Sequence, residues 1–171
     1  MTEAFRDQLA RHRLRGCASV GEAPVVKGQV WIRGRGEVRL GNRVVLDAST
    51  AAIEINAWDP GSVITIGDDV VISSGASLES VVSINIGARS RLGRFSKIMD
   101  TSFHSLIGDR HARPKCFPVE VGEDVEVGFR AVLLAGTKLG NGSAVGAGTV
   151  VSRRETVPPG SVVSGAPAVV R

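Results

Sequence analysis

Aromatic side chains are scarce in this chain. They make up 4% of its 171 residues, and tyrosine is missing altogether. A single-strand nucleic-acid surface needs a basic stripe interleaved with rings, so that class of partner is excluded. Cysteine occurs twice, at Cys17 and Cys116. Two thiols make neither a disulfide framework nor a zinc motif, and are read as free thiols in a reducing compartment. No stretch approaches 18 successive apolar residues, so no membrane-spanning helix is expected. The opening MTEAFRDQLARHRLRG has no apolar core, and Glu3 and Asp7 argue against a transit peptide. A soluble, cytoplasmic protein is expected. The net charge of +4 is too mild to argue for nucleic acid, yet suits an anionic small ligand.

What the chain does have is a period of six. Val121, Val127, Leu133, Leu139, Val145, Val151, Val157 and Val163 fall in one register, and glycine follows four of them. Four places after each aliphatic residue the side chain is mostly small or short, as at Ala131, Thr137, Ser143 and Thr149. A strict hexad predicts a parallel β-helix, an all-β fold. Three hexads make an 18-residue coil with about 4.8 Å between coils, and roughly seven coils fit between residues 26 and 168. Weaker hexads run through Ile66, Ile72, Leu78 and Ile84, then shift by two residues to Ile86, Leu92 and Ile98. An earlier slip separates Val38 from Leu40. NAWDPGS at 56–62 reads as a turn. Residues 1–15 read as a short helix with Phe5 and Leu9 on one face. The expected organisation is an N-terminal segment, 1–25, and a solenoid domain, 26–171. Residues 99–118 carry no hexad and are read as a loop excursion from a corner.

His104 opens that excursion. An imidazole titrating near neutrality can take a proton from an attacking hydroxyl or amine, although a histidine there could equally be merely exposed. The segment IMDTSFH at 98–104 is followed by PVEVGEDVEVG and then by VGAGTVVSRRETVPPGSVVSGAPAVV. Together these resemble the hexapeptide-repeat acyltransferases, in particular the sugar O-acetyltransferase branch of maltose, galactoside and polysaccharide-biosynthesis enzymes. The resemblance covers about residues 30–170. It implies a left-handed parallel β-helix, a homotrimer with active sites between subunits, and acetyl-CoA or a longer acyl-CoA as co-substrate without metal. His104 matches the family's catalytic histidine, the general base on the acceptor hydroxyl. Asp100 matches an acidic position that would orient acceptor or histidine, or would simply cap a turn. Ser73 and Glu79 fall in the acceptor region. Gly128, Phe129, Ala147 and Gly148 match the pantetheine rail. Ser152 and Arg153 match the contacts to CoA phosphates, with Arg154 as an alternative. The chain departs from the family pattern at Glu126, where Trp is usual, at Ser73, where Asn is usual, and at Val169, where a basic residue is usual.

Transfer to a sugar or glycan hydroxyl is therefore expected. N-acylation of an amino sugar and a non-catalytic trimeric scaffold are the alternatives. The γ-type carbonic anhydrases share the fold but bind zinc through three histidines. This chain has only His12, His104 and His111, and His12 precedes the solenoid.

Overall fold

The structure, a computed structural model, describes residues 3–102, 109, 111 and 115–170. They form a left-handed parallel β-helix of about seven turns preceded by one short helix. Two long strands, Val25–Gly34 and Val45–Ala57, each bend across two faces of the column. Face I stacks residues 25–28, 45–48, Val71–Ser73, Arg91–Leu92, Glu126–Val127, Ala144–Val145 and Val162–Ser164. Face II stacks residues 30–34, 54–57, Ser77–Ser80, Lys97–Met99, Val132–Leu133 and Val150–Val151. Face III runs from Ser19–Val20 through Glu37–Leu40, Val63–Ile66, Ser83–Ile86, Val119–Val121 and Lys138–Leu139 to Thr156–Val157.

All eight residues of the hexad register are buried, at 4% exposure or less. The small residues four places later also point inward, and Val125, Ala131, Thr137, Ser143 and Thr149 are buried as well. A narrow triangular interior takes one branched aliphatic and one small side chain per face, which is why both positions are restricted.

Coil length explains the slips in period. Partners along face III run Ser19, Arg39, Thr65, Asn85, Glu120, Lys138 and Thr156, at steps of 20, 26, 20, 35, 18 and 18 residues. In the earlier coils a face III strand buries two aliphatic residues, Val38 with Leu40 and Ile84 with Ile86. A strand with two inward positions is two residues longer, so the hexad shifts by two. The step of 35 contains the excursion. The step of 26 contains residues 49–52, added inside Val45–Ala57, and the turn at 59–61.

The expected N-terminal helix forms as α1, Glu3–Arg13. Ala10 and Leu14 are buried, whereas Phe5 is 54% and Leu9 38% exposed. Leu14 joins the core at the end of the column, where a bare coil would otherwise meet water. The next residues already belong to the stack, since Ser19–Val20 pairs with Arg39–Leu40. Among the described residues no helix is long and apolar enough to cross a membrane.

The corner between faces III and I carries a charge ladder. Arg43, Asp69, Arg89 and Asp124 occupy the same turn position in successive coils, each with positive φ between 54° and 60°. Side chains rarely adopt that region, and here they are held across coils. Arg43 pairs with Asp69 through two bonds of 2.6 Å, and Arg89 with Asp124 through two of 2.8 Å. Hydrogen bonds from the facing arginine hold both carboxyls below the ordinary aspartate value of 3.8. A carboxyl whose pKa is lower in the folded state stabilises the fold above 3.8, and loses that contribution as the pH falls through the lowered value. The urea midpoint is therefore expected to drop below pH 4, and Asp69→Asn with Asp124→Asn should flatten that part of the pH profile.

Candidate active site

The corner between faces I and II is an aromatic and basic shoulder. Its turns stack one per coil: the Phe95 amide donates to the Ser74 carbonyl at 3.0 Å, Arg130 to Arg94 at 2.9 Å, and Gly148 to Phe129 at 2.7 Å. Phe95 has φ of 56°. A Cβ on Gly75 would come within 2.4 Å of the Phe95 ring, so glycine there makes room for it. Phe95 and Phe129 meet edge to face at 6.1 Å. The Arg130 guanidinium lies 5.0 Å from the Phe129 ring and 5.9 Å from Phe95, and Arg94 lies 5.8 Å from Phe95. These are cation–π distances. A groove of about 250 Å³ opens beside them, lined among others by Ser73, Arg91, Glu126, Gly128 and Phe129. Phe129 is 45% exposed. Ala147 and Gly148 continue the strip one coil on and are exposed. A side chain at Gly148 would meet nothing within 4 Å, so its open flank is available to a long ligand.

The corner between faces II and III holds the carboxylates and the excursion. Asp100 is fully buried. Its carboxylate accepts from Ser80 Oγ at 2.7 Å and from the Val81 and Val82 amides at 2.9 and 2.8 Å. It thus caps the turn of the preceding coil. Its backbone carbonyl accepts from the Phe117 amide at 3.1 Å, where the chain returns from the excursion. Glu79 is on the outward side of face II, yet is only 7% exposed. It accepts from Asn56 Nδ2 at 3.0 Å, Trp58 Nε1 at 2.7 Å and Ser77 Oγ at 2.8 Å. Ser152 is half-buried and Arg153 exposed on the same corner. Arg153 donates to the Lys115 carbonyl at 2.7 Å, and Arg153 and Arg154 lie 5.9 and 5.0 Å from the Phe117 ring.

His104 lies outside the described residues. Of the others, Ser73, Gly128 and Phe129 share one groove, and Glu79 and Asp100 sit on adjacent strands, joined by the Asp100 amide to Glu79 carbonyl bond at 3.2 Å. Within one chain the two groups do not meet. Ser73 and Glu79 belong to one coil but lie on different faces, either side of the turn at 74–76. Arg153 is likewise across face II from Gly148. The sequence reading passed over Trp58 and Asn56, which hold Glu79, and over Phe95, Phe117 and Arg130. Trp58 had a signal, a large ring inside the NAWDPGS turn. The stacking of Phe95 by Phe129 was hidden by the 35-residue coil between them. Among the described residues no group of three or more His, Cys, Asp or Glu could hold a metal ion.

Removing the Glu79 carboxylate leaves an indole N–H and a buried amide without their acceptor. Glu79→Ala is expected to cost about 2–3 kcal/mol of stability, read by urea unfolding, and to shift the tryptophan emission. Glu79→Gln, which keeps one carbonyl acceptor, should lose less.

Comparison with known proteins agrees with this architecture. A family model described as the hexapeptide repeat of succinyl-transferase matches residues 118–153. An Escherichia coli protein named as a lipopolysaccharide biosynthesis O-acetyl transferase, WbbJ, is 27% identical over 157 residues, covering 84% of this chain and 76% of its own length. A Vibrio cholerae hexapeptide-repeat acetyltransferase, solved with acetyl-CoA, superposes with a TM-score of 0.56 at 25% identity over 99% of this chain and 76% of that one. AntD, an N-acyltransferase from Bacillus cereus solved with dTDP and coenzyme A, superposes with a TM-score of 0.76 at 19% identity over 94% and 86%, a likeness of fold. Repeat and coil geometry agree with these relatives: residues 118–153 match the hexapeptide-repeat model, and the chain as a whole is similar to hexapeptide-repeat acyltransferases.

Proposed function

We propose that the chain transfers an acetyl or other acyl group from acyl-CoA to a hydroxyl of a sugar or glycan intermediate. The observation that carries this reading is the 27% identity with a protein named as an O-acetyl transferase, extending over 84% of the chain. In the mechanism, His104 removes the acceptor proton as the oxygen attacks the thioester carbon. The C–S bond breaks, and the CoA thiolate takes a proton. A backbone N–H stabilises the oxyanion between those events. The acyl-CoA substrate runs along Gly128, Phe129, Ala147 and Gly148, with its phosphates toward Ser152 and Arg153, where a guanidinium forms charge-assisted bonds. Glu79, Asp100 and Ser73 shape the acceptor side.

His104→Ala should lower kcat by about 10²–10⁴ and leave the KM for acetyl-CoA near its wild-type value, with thiol release as the measurement. Full acceptor-dependent activity in that variant overturns the mechanism. N-acylation is the second reading, favoured by the fold shared with the Bacillus cereus N-acyltransferase. Hydroxylamine separates the two, since it cleaves an ester product and spares an amide.

The candidates occupy two corners of one chain, divided by face II. A homotrimer with sites between subunits would bring the shoulder of one subunit to the excursion of its neighbour. Phe129→Ala should raise the KM for acetyl-CoA while sparing folding. Co-expressing it with His104→Ala should return activity in about a quarter of the sites by random assembly. No recovery in proven mixed trimers rejects shared sites.

A further inference from the structure

A cleft of about 580 Å³ opens at the amino-terminal end of the column, between the end of α1 and the first strand of face II. His12, Arg13, Arg15, Trp31 and Arg33 are among its walls, and no carboxylate lines it among the described residues. The Arg33 guanidinium sits 4.4 Å from the Trp31 ring, which fixes its position. Arg13 donates one nitrogen to the Val26 and Gly28 carbonyls, both at 3.3 Å. Most arginines on the surface nearby are neutralised: Arg11 by Asp7, Arg39 by Glu37, Arg43 by Asp69. Among the described residues, Arg15 and Arg33 have no ion-pair partner. Unneutralised guanidiniums gathered in a concave site present forked donors to an anion.

The place of the cleft says which anion. Arg33 pairs in register with Asn56, Asn56 with Glu79, and Glu79 with Met99. The cleft therefore lies on the same outward side of face II as Glu79. Three coils, roughly 14 Å, separate it from the strand that leads into the excursion carrying His104. A sugar at the excursion with a phosphate or diphosphate trailing along the face would reach it.

We infer that this cleft binds the phosphate or diphosphate of the acceptor, so that the acceptor is a sugar carried on phosphate and not a free sugar. The identity of the bound molecule as acceptor rests on the acyl-transfer reading. The anion site itself does not.

The test uses the full chain, the double variant Arg15→Gln/Arg33→Gln, and Arg39→Gln as a control that removes a charge on face III. Pyrophosphate and a nucleoside diphosphate are titrated calorimetrically. Binding at least tenfold weaker in the double variant, unchanged in the control and falling with salt, is expected. Circular dichroism verifies that the double variant is folded. In the thiol-release assay, a hexose 1-phosphate and a nucleoside-diphosphate hexose should exceed the free hexose at least tenfold in kcat/KM, and the double variant should erase the advantage. A preference for the nucleotide form over the sugar phosphate identifies the nucleotide as the carrier, and equal use identifies phosphate alone. Absence of pyrophosphate binding, equal binding by the double variant, or equal turnover of free hexose overturns the inference. Phosphate binding as expected with no thiol released from any acceptor rejects acyl transfer and leaves the anion site standing.

Discussion

Apart from the antiparallel pair Val162–Ser164 with Val169–Val170 that ends the column, each strand has its backbone partners in the coils before and after it. The Lys97 amide donates forward to the Ala131 carbonyl of the next coil, Val132 to Thr149, and Val71 to Ser90. A buried amide without a partner is costly, so a face tolerates no unpaired insertion. Residues are added at a corner or as a paired lengthening of the face. Coils of 18, 20, 26 and 35 residues stack in one register because their extra residues all leave at corners or lengthen a whole face together.

The same constraint sorts the chemistry. Inward positions are filled by aliphatic and small side chains. Large and charged groups stand on the outward side of the faces, as at Trp31, Arg33 and Lys138, and at the corners. One corner uses them for cohesion, with Arg43, Asp69, Arg89 and Asp124 alternating in sign. A second offers rings and guanidiniums at Phe95, Phe129 and Arg130. The third carries the excursion, anchored by Asp100 before it and Phe117 after it. Three corners of one motif thus hold three chemistries.

The fold was legible because the hexad reports a steric limit that acts at every coil. Even its failures had meaning, since the two-residue slip at Ile84 and Ile86 is a face with two inward positions. The docking of α1 was not legible: Phe5 and Leu9 are its larger apolar residues, but Ala10 and Leu14 are the buried ones. The candidate site was legible in its parts and not in its geometry. Ser73 and Glu79 are six residues apart and share a coil, yet a corner turns them to different faces. Glu79 could not be recognised as a buried, triply bonded carboxylate, because Asn56 and Trp58 come from the neighbouring coil, more than twenty residues away. The relation of Phe95 to Phe129 depends on the length of an intervening excursion that the hexad does not count.

The covalent chain and the hydrogen-bonded column follow different routes across that excursion. Strands Ser83–Ile86, Arg91–Leu92 and Lys97–Met99 before it are bonded face by face to Val119–Val121, Glu126–Val127 and Val132–Leu133 after it. The two halves are thus aligned by backbone pairing on three faces. Register across the longest coil is therefore written in the strands on either side of it, on all three faces at once.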